Sequence, residues 1–205
     1  MTSATRRAGL SPASLCLLAL AGLLLSGCGF NAIPTKDEAT KAAWSQVLNQ
    51  YQRRADLVPN LVSTVKGFAD QERRVLTEVV EARAKVAQMR LPENILTNEE
   101  AFRQFQQQQA ALSSALSRLM VVVERYPELK SNQNFLALQS QLEGTENRIS
   151  VARRDYIRAV QDYNTELRTF PGVVWASLWY KDAKLKQNFA VDESAVGQPP
   201  EVKFN

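Results

Sequence analysis

Acidic side chains are the groups left to do chemistry in this sequence. Glu143 and Glu146 stand three residues apart in a helical stretch, Glu99 and Glu100 open another, and Asp56 precedes Asn60 by one turn. Two carboxyls facing each other across a cleft, roughly 5 to 10 Å apart, would support glycoside hydrolysis. No cleft is foreshadowed, so solvated helix faces and local caps are the simpler reading. Other chemistries are excluded by residue type. There is no histidine, and the only cysteines are Cys16 and Cys28. That removes Ser-His-Asp and Cys-His catalysis and His-ligated zinc in their usual forms. The eight glycines form neither a GxGxxG turn nor a phosphate-cradling loop. A hard cation held by oxygens alone would need an acidic loop, and no EF-hand spacing occurs. No cofactor and no metal site are expected.

Three polar clusters interrupt otherwise apolar stretches. One is Arg53-Arg54 with Asp56 and Asn60. A second is Gln71-Glu72-Arg73-Arg74. A third is Thr145-Glu146-Asn147-Arg148, followed one turn later by Arg153-Arg154-Asp155. Arg54 and Glu72 occupy core-phase positions, where an unpaired charge is expensive. They are therefore expected to pair across helices and set register, with a groove for a partner as the alternative. Arg53, Arg54, Asp56, Asn60, Glu72, Glu146, Asn147 and Arg148 are the candidate partner-binding or register residues. Trp175 and Trp179, one turn apart in the apolar piece VVWASLWY, suit either a cap on the end of a bundle or a membrane-interface contact.

Residues 1–27 have the pattern of an export signal: Arg6 and Arg7, an apolar run from Leu15 to Leu25, then Leu25-Ser26-Gly27-Cys28. The run of eleven is too short for a spanning helix of ~20 residues. A leucine, two small residues and a cysteine make a lipobox, so Cys28 is expected to become an acylated N-terminus carrying palmitate. The mature chain would then have no free thiol and no disulfide. Its 25 basic residues fall to 23 without Arg6 and Arg7, against 21 acidic, a net charge of only +2. Such a balance, in an envelope compartment, argues against nucleic acid as a partner. Gly29, in place of an aspartate, favours sorting to the outer membrane over retention at the inner one.

Helices must position all of these groups. Positions 44, 47, 51, 54, 58, 61, 65, 68, 72, 75, 79, 82, 86 and 89 hold one heptad phase, and only Arg54 and Glu72 among them are polar. That predicts one long helix from about Lys36 to Arg90, kinked at Pro59. Thr97 and Glu100 form a capping box for a second helix ending near Tyr126-Pro127, with Gln109 the one polar residue in its stripe. A third is expected from about Ser131 to Thr169. No strand-like alternation is present. The expected fold is all-α: an elongated antiparallel bundle of three long helices plus a short C-terminal helix. The expected organisation is a signal peptide over 1–27, a linker over 28–35, the bundle over 36–181 and a polar tail over 182–205.

The stretch AAWSQVLNQYQRRADLVPNLVSTVKGFADQE (42–72) resembles the first signature of the LemA family. YPELKSNQNFLALQSQLEGTENRISVARRDY (126–156) is similar to the second, and AVQDYNTELRTFPG (159–172) to its continuation. The resemblance covers about Thr40 to Lys181 and implies an elongated helical bundle anchored to a membrane at its N-terminus. Many members begin with a transmembrane helix; this chain resembles a lipoprotein branch. Ile157 stands where an asparagine is usual. The family brings no catalytic residues to carry over. It implies partners among envelope proteins, including TPM-domain membrane proteins, and a role in organising envelope membranes.

The expected function is therefore a non-enzymatic, lipid-anchored scaffold facing the periplasm, with self-association open. A carboxylate-dependent peptidoglycan hydrolase or hydrolase cofactor, and a carrier of hydrophobic ligands between helices, are the alternatives.

Overall fold

The structure, a computed structural model, describes residues 29–189. The signal-peptide pattern, Cys28 and residues 190–205 lie outside the described residues. Everything described is helix, turn or extended connection, without a strand.

Four helices carry the mass. The first, α1, spans Ala32–Lys66, and α2 spans Arg73–Gln88. Helix α3 spans Glu99–Val123, and α5 spans Gln133–Arg168, after a single turn, α4, at Pro127–Lys130. A short α6 follows at Gly172–Leu178. The expectation of three long helices fails at one place. The run from 36 to 90 is two helices, broken at Gly67-Phe68-Ala69 and a 3-10 turn over Asp70–Glu72. Gly67 follows the last helical turn, and its amide donates to the Ser63 carbonyl at 3.3 Å. The chain then reverses, so α2 packs back on α1 and against α3.

Cross-links give the directions. Thr40 reaches the Ala159 carbonyl and Arg54 reaches Glu146, so α1 and α5 run antiparallel. Trp44 meets Phe102 while Arg54 meets Gln109, so α1 and α3 run parallel. The result is an up-down-up-down bundle. With 35 and 36 residues, α1 and α5 are each roughly 50 Å long at 1.5 Å per residue.

Pro59 lies inside α1 without ending it. A proline cannot donate to the carbonyl four residues back. Here that carbonyl, on Ala55, accepts instead from Arg83 Nε of α2 at 3.5 Å. The caps also differ from expectation. The α3 cap is Asn98, whose side chain accepts from the Ala101 amide at 3.1 Å, while Thr97 donates back to the Asn94 carbonyl.

The core has three zones. Towards the α1–α2 turn it is mostly aliphatic, with Val58, Leu61, Val65, Val79, Leu112 and Leu119 around the single buried ring of Phe135. Its middle is aromatic: Trp44 lies 5.0 to 6.3 Å from the rings of Phe105, Tyr156, Phe102 and Phe189. Such pairs add about 0.5 to 1.5 kcal/mol each beyond burial. At the end where residue 29 begins, the basal end, Ile33, Tyr163 and Leu167 pack beneath Trp175.

Residues 182–189, expected to open a polar tail beyond the bundle, cross it as a strap held at its buried residues Lys186 and Phe189. Lys186 is buried, ion-paired to Asp37 at 2.6 Å and set 4.9 Å from the Tyr163 ring centre. Asn164 bonds the Lys186 backbone twice, both at 2.9 Å. The Gln187 amide donates to the Leu96 carbonyl, and its carbonyl accepts from Tyr156. Phe189 then enters the aromatic zone beneath Arg153. Polar composition alone concealed this, because each polar group finds its partner only in the folded bundle.

Candidate functional site

Arg54 is the largest fully buried side chain, 1% exposed at the middle of the bundle. Its guanidinium is shared among three helices. Nη1 donates to Ser113 Oγ at 2.6 Å and to Glu146 Oε1 at 3.0 Å. Nη2 donates to the Gln109 carbonyl at 3.1 Å and to Gln109 Oε1 at 2.7 Å. The Tyr51 ring lies 5.0 Å from Cζ. The Nε–H alone has no partner. A fork of planar donors suits this role better than lysine would, because it addresses several acceptors at fixed angles.

Grooves surround this node. The first, about 410 Å³, is walled by Tyr51, Gln109, Ser113 and Phe189, with Arg103, Gln106 and Arg153 at its rim. A second, about 500 Å³, runs between α3 and α5 and contains Ser113, Leu142, Glu143, Glu146 and Asn147. Both are open furrows rather than enclosed chambers. The Tyr51 hydroxyl is held above its ordinary pKa by burial, with Arg153 and Arg54 pulling the other way. It stays a neutral donor and acceptor at physiological pH.

The sequence candidates divide sharply. Arg54 and Glu146 are brought together. Arg53, Asp56, Asn60 and Arg148 are exposed, and Asp56 accepts a hydrogen bond from Gln52 of its own helix. Asn147 is exposed on the groove wall. Glu72 lies far from Arg54, at the top of the bundle, where it accepts from the Tyr126 hydroxyl and pairs with Arg125, both at 3.0 Å. Trp175 is half-buried against Phe30, while Trp179 is 60% exposed.

Two partners of Arg54 escaped sequence reasoning. Gln109 carried a signal, as the lone polar residue in the α3 stripe. Ser113, one turn later, carried none. Among the described residues no cluster of three or more histidine, cysteine or acidic side chains could hold a metal. No described helix is long and apolar enough to cross a membrane.

Comparison with known proteins agrees with the signatures read from the sequence. The model of the LemA family matches residues 43–204. Two curated relatives, magnetosome proteins MamQ 1 and MamQ 2 of Paramagnetospirillum magneticum, are each 27% identical over 161 residues, 69% of this chain. The match spans only 58% of the length of either relative.

Proposed function

We propose, from the premise that this chain belongs to the LemA family, that it works as a membrane-anchored helical scaffold of the bacterial envelope, binding other envelope proteins rather than turning over a substrate. Its anchor would be an acyl group on Cys28, and its partners would include membrane proteins of the envelope. The observation that carries the reading is how the buried polar chemistry is used. Arg54 and its acceptors tie α1, α3 and α5 together. What faces outward beside them is a furrow rimmed by the amides and guanidinium groups of Gln106, Gln107, Arg103 and Arg153, with the Tyr51 and Ser113 hydroxyls in its wall. Such a surface fits acidic side chains and peptide carbonyls. Both relatives are named as magnetosome proteins, and a scaffold of this kind would suit such an assembly.

A photo-crosslinking amino acid at Gln107 in cells tests this. Reproducible adducts with an envelope protein, lost in Arg103→Ala/Arg153→Ala, are expected. Adducts that are absent, or indifferent to both arginines, would sink it.

One observation favours the hydrolytic alternative: Glu143 and Glu146 line the same furrow. Glu146, however, is held by Arg54, and Glu143 accepts from Gln139 at 2.9 Å. Muropeptide release that falls in Glu143→Gln while folding is intact would support it over the scaffold.

A further inference from the structure

The basal end of the bundle exposes apolar side chains where none of the scaffold's internal packing needs them. Phe170 is 83% exposed, Trp179 60% and Leu178 56%; Val173, Val174 and Phe30 are 37 to 42% exposed. They are not loosely placed. Phe30 lies 5.7 Å from Trp175 and 6.1 Å from Trp179, ring centre to ring centre, both edge-on. The Tyr180 hydroxyl donates to the Phe30 carbonyl at 3.1 Å, fixing the α6 end to the start of α1. Directly above, the Lys36–Glu166 and Lys186–Asp37 ion pairs lock α1 to α5 and to the strap. An exposed apolar surface on a rigid base is an interaction site rather than a frayed end.

The chain itself says what covers it. Gly29, the first described residue, has φ +125°, a conformation suited to glycine, and a side chain there would meet Pro171 at 3.2 Å and the Trp175 indole nitrogen at 3.6 Å. Residues 1–28, with their apolar run from Leu15 to Leu25, therefore join the molecule within this patch. The chain thus enters the described residues, at Gly29, from among these rings. Exposed cations Arg168, Lys181 and Lys184, with one exposed acid, Asp182, flank the patch in sequence and leave it net positive. Tryptophan beside lysine and arginine is the composition that settles at the headgroup layer of an anionic bilayer.

We propose that this end face, centred on Phe170, Leu178 and Trp179, seats the bundle on the bilayer surface and inserts to headgroup depth. It is a second membrane contact, made by the folded domain itself. It rests on the anchored reading above and adds an orientation. With α1 and α5 starting and ending at the seated face, the rod stands away from the membrane. Arg54, 22 residues into α1 from Ala32, is held roughly 30 Å above it. The furrow beside Arg54 is thereby presented to partners at a set height.

The full chain, isolated from membranes, is placed in vesicles of phosphatidylethanolamine and phosphatidylglycerol brominated at shallow or deep acyl positions. Acyl incorporation at Cys28 is read separately by mass. Trp44 is buried in the core and provides the unquenched background. Expected is loss of tryptophan emission, larger with shallow bromines, and removal of most of that loss in Trp179→Phe. Phe170→Ser/Trp179→Ser should also abolish the quenching; both positions are exposed, and unchanged circular dichroism would show the fold intact. Acylated, vesicle-bound protein without quenching overturns the seated face and leaves the lipid anchor standing. Quenching without acylation overturns the lipid anchor and keeps the seated face. Efficient disulfide crosslinking of two copies through Trp179→Cys in vesicles would assign the patch to a second copy, and also overturn the proposal.

Discussion

Glu146→Ala separates a working tie from a surface charge. The Glu146 side chain is 43% exposed, and at such a position truncation ordinarily changes stability by less than about 0.5 kcal/mol. Here the carboxylate faces a guanidinium that is 1% exposed and has no other carboxylate partner among the described residues. Leaving a buried charge unpaired costs about 3 to 5 kcal/mol. Gln109 and Ser113 still accept from the remaining donors, and solvent reaches Glu146, so we expect the low side, about 2 to 4 kcal/mol. For a chain of this size that is roughly 4 to 16 °C in Tm. The urea midpoint should fall with its slope unchanged. Arg54→Met removes the cation but strands Gln109 Oε1, at about 1 to 3 kcal/mol. The double variant Arg54→Met/Glu146→Ala should then be little worse than Arg54→Met alone, a coupling of about 2 kcal/mol or more. A Glu146→Ala cost below about 0.5 kcal/mol, or strict additivity with Arg54→Met, would refute the idea that this pair holds three helices in register.

The strap offers a pH test. Burial by itself raises the Asp37 pKa, but bonds and charge from Lys186 and Lys41 outweigh it and hold the carboxyl below the ordinary carboxylate range. A lowered folded-state value means stability that is complete above the unfolded value near 4 and lost as pH falls through the folded one. Trp44 emission, sensing Phe189 at 6.3 Å, should change in that acid range, and Asp37→Asn should remove the pH dependence. Phe189→Ala should cost about 2 to 4 kcal/mol in urea unfolding, since the ring is buried among Trp44, Phe102 and Tyr156. Arg83→Ala should destabilise the native chain but have less effect in a Pro59→Ala background, where Ala55 regains its helical donor; thermal melts of the four combinations decide it. Gly172→Ala should destabilise as well, because a Cβ there runs into the Glu166 carbonyl, and near-ultraviolet circular dichroism should register the displaced Trp175.

Helix type and face were legible from apolar spacing because burial repeats along a helix regardless of what the rest of the chain does. Of the fourteen heptad positions between 44 and 89, those up to Val65 are buried in the structure, Arg54 among them. Phase alone failed at the turn. Phe68 continues the apolar stripe yet is 41% exposed, and Ala69 is buried by the turn rather than by a helix face. Periodicity records which residues seek the core and is silent about direction. The information lay in Gly67 and the polar run Gln71 to Arg74, which together mark a helix end. Reversal there converts one helix of a three-helix rod into two neighbours of a four-helix bundle.

The polar node shows the same division between local and distant information. Arg54 announced itself because a charge in a core phase must be answered, and Gln109 could have been read likewise in α3. Glu146 differs: it stands out only as one member of the polar cluster Thr145 to Arg148, and its half-exposed position gives no reason why it, rather than Asn147, should answer Arg54. Only the antiparallel setting of α5 on α1 selects it, through the same register that brings Thr40 to Ala159. The furrows beside the node follow from that geometry. Tyr51, Gln109 and Ser113 of the node line the first furrow, and Ser113 and Glu146 line the second. The same side chains therefore serve the node and the walls of both furrows. A variant that loosens Arg54 should weaken partner crosslinks at Gln107 even though neither residue touches the partner through the other.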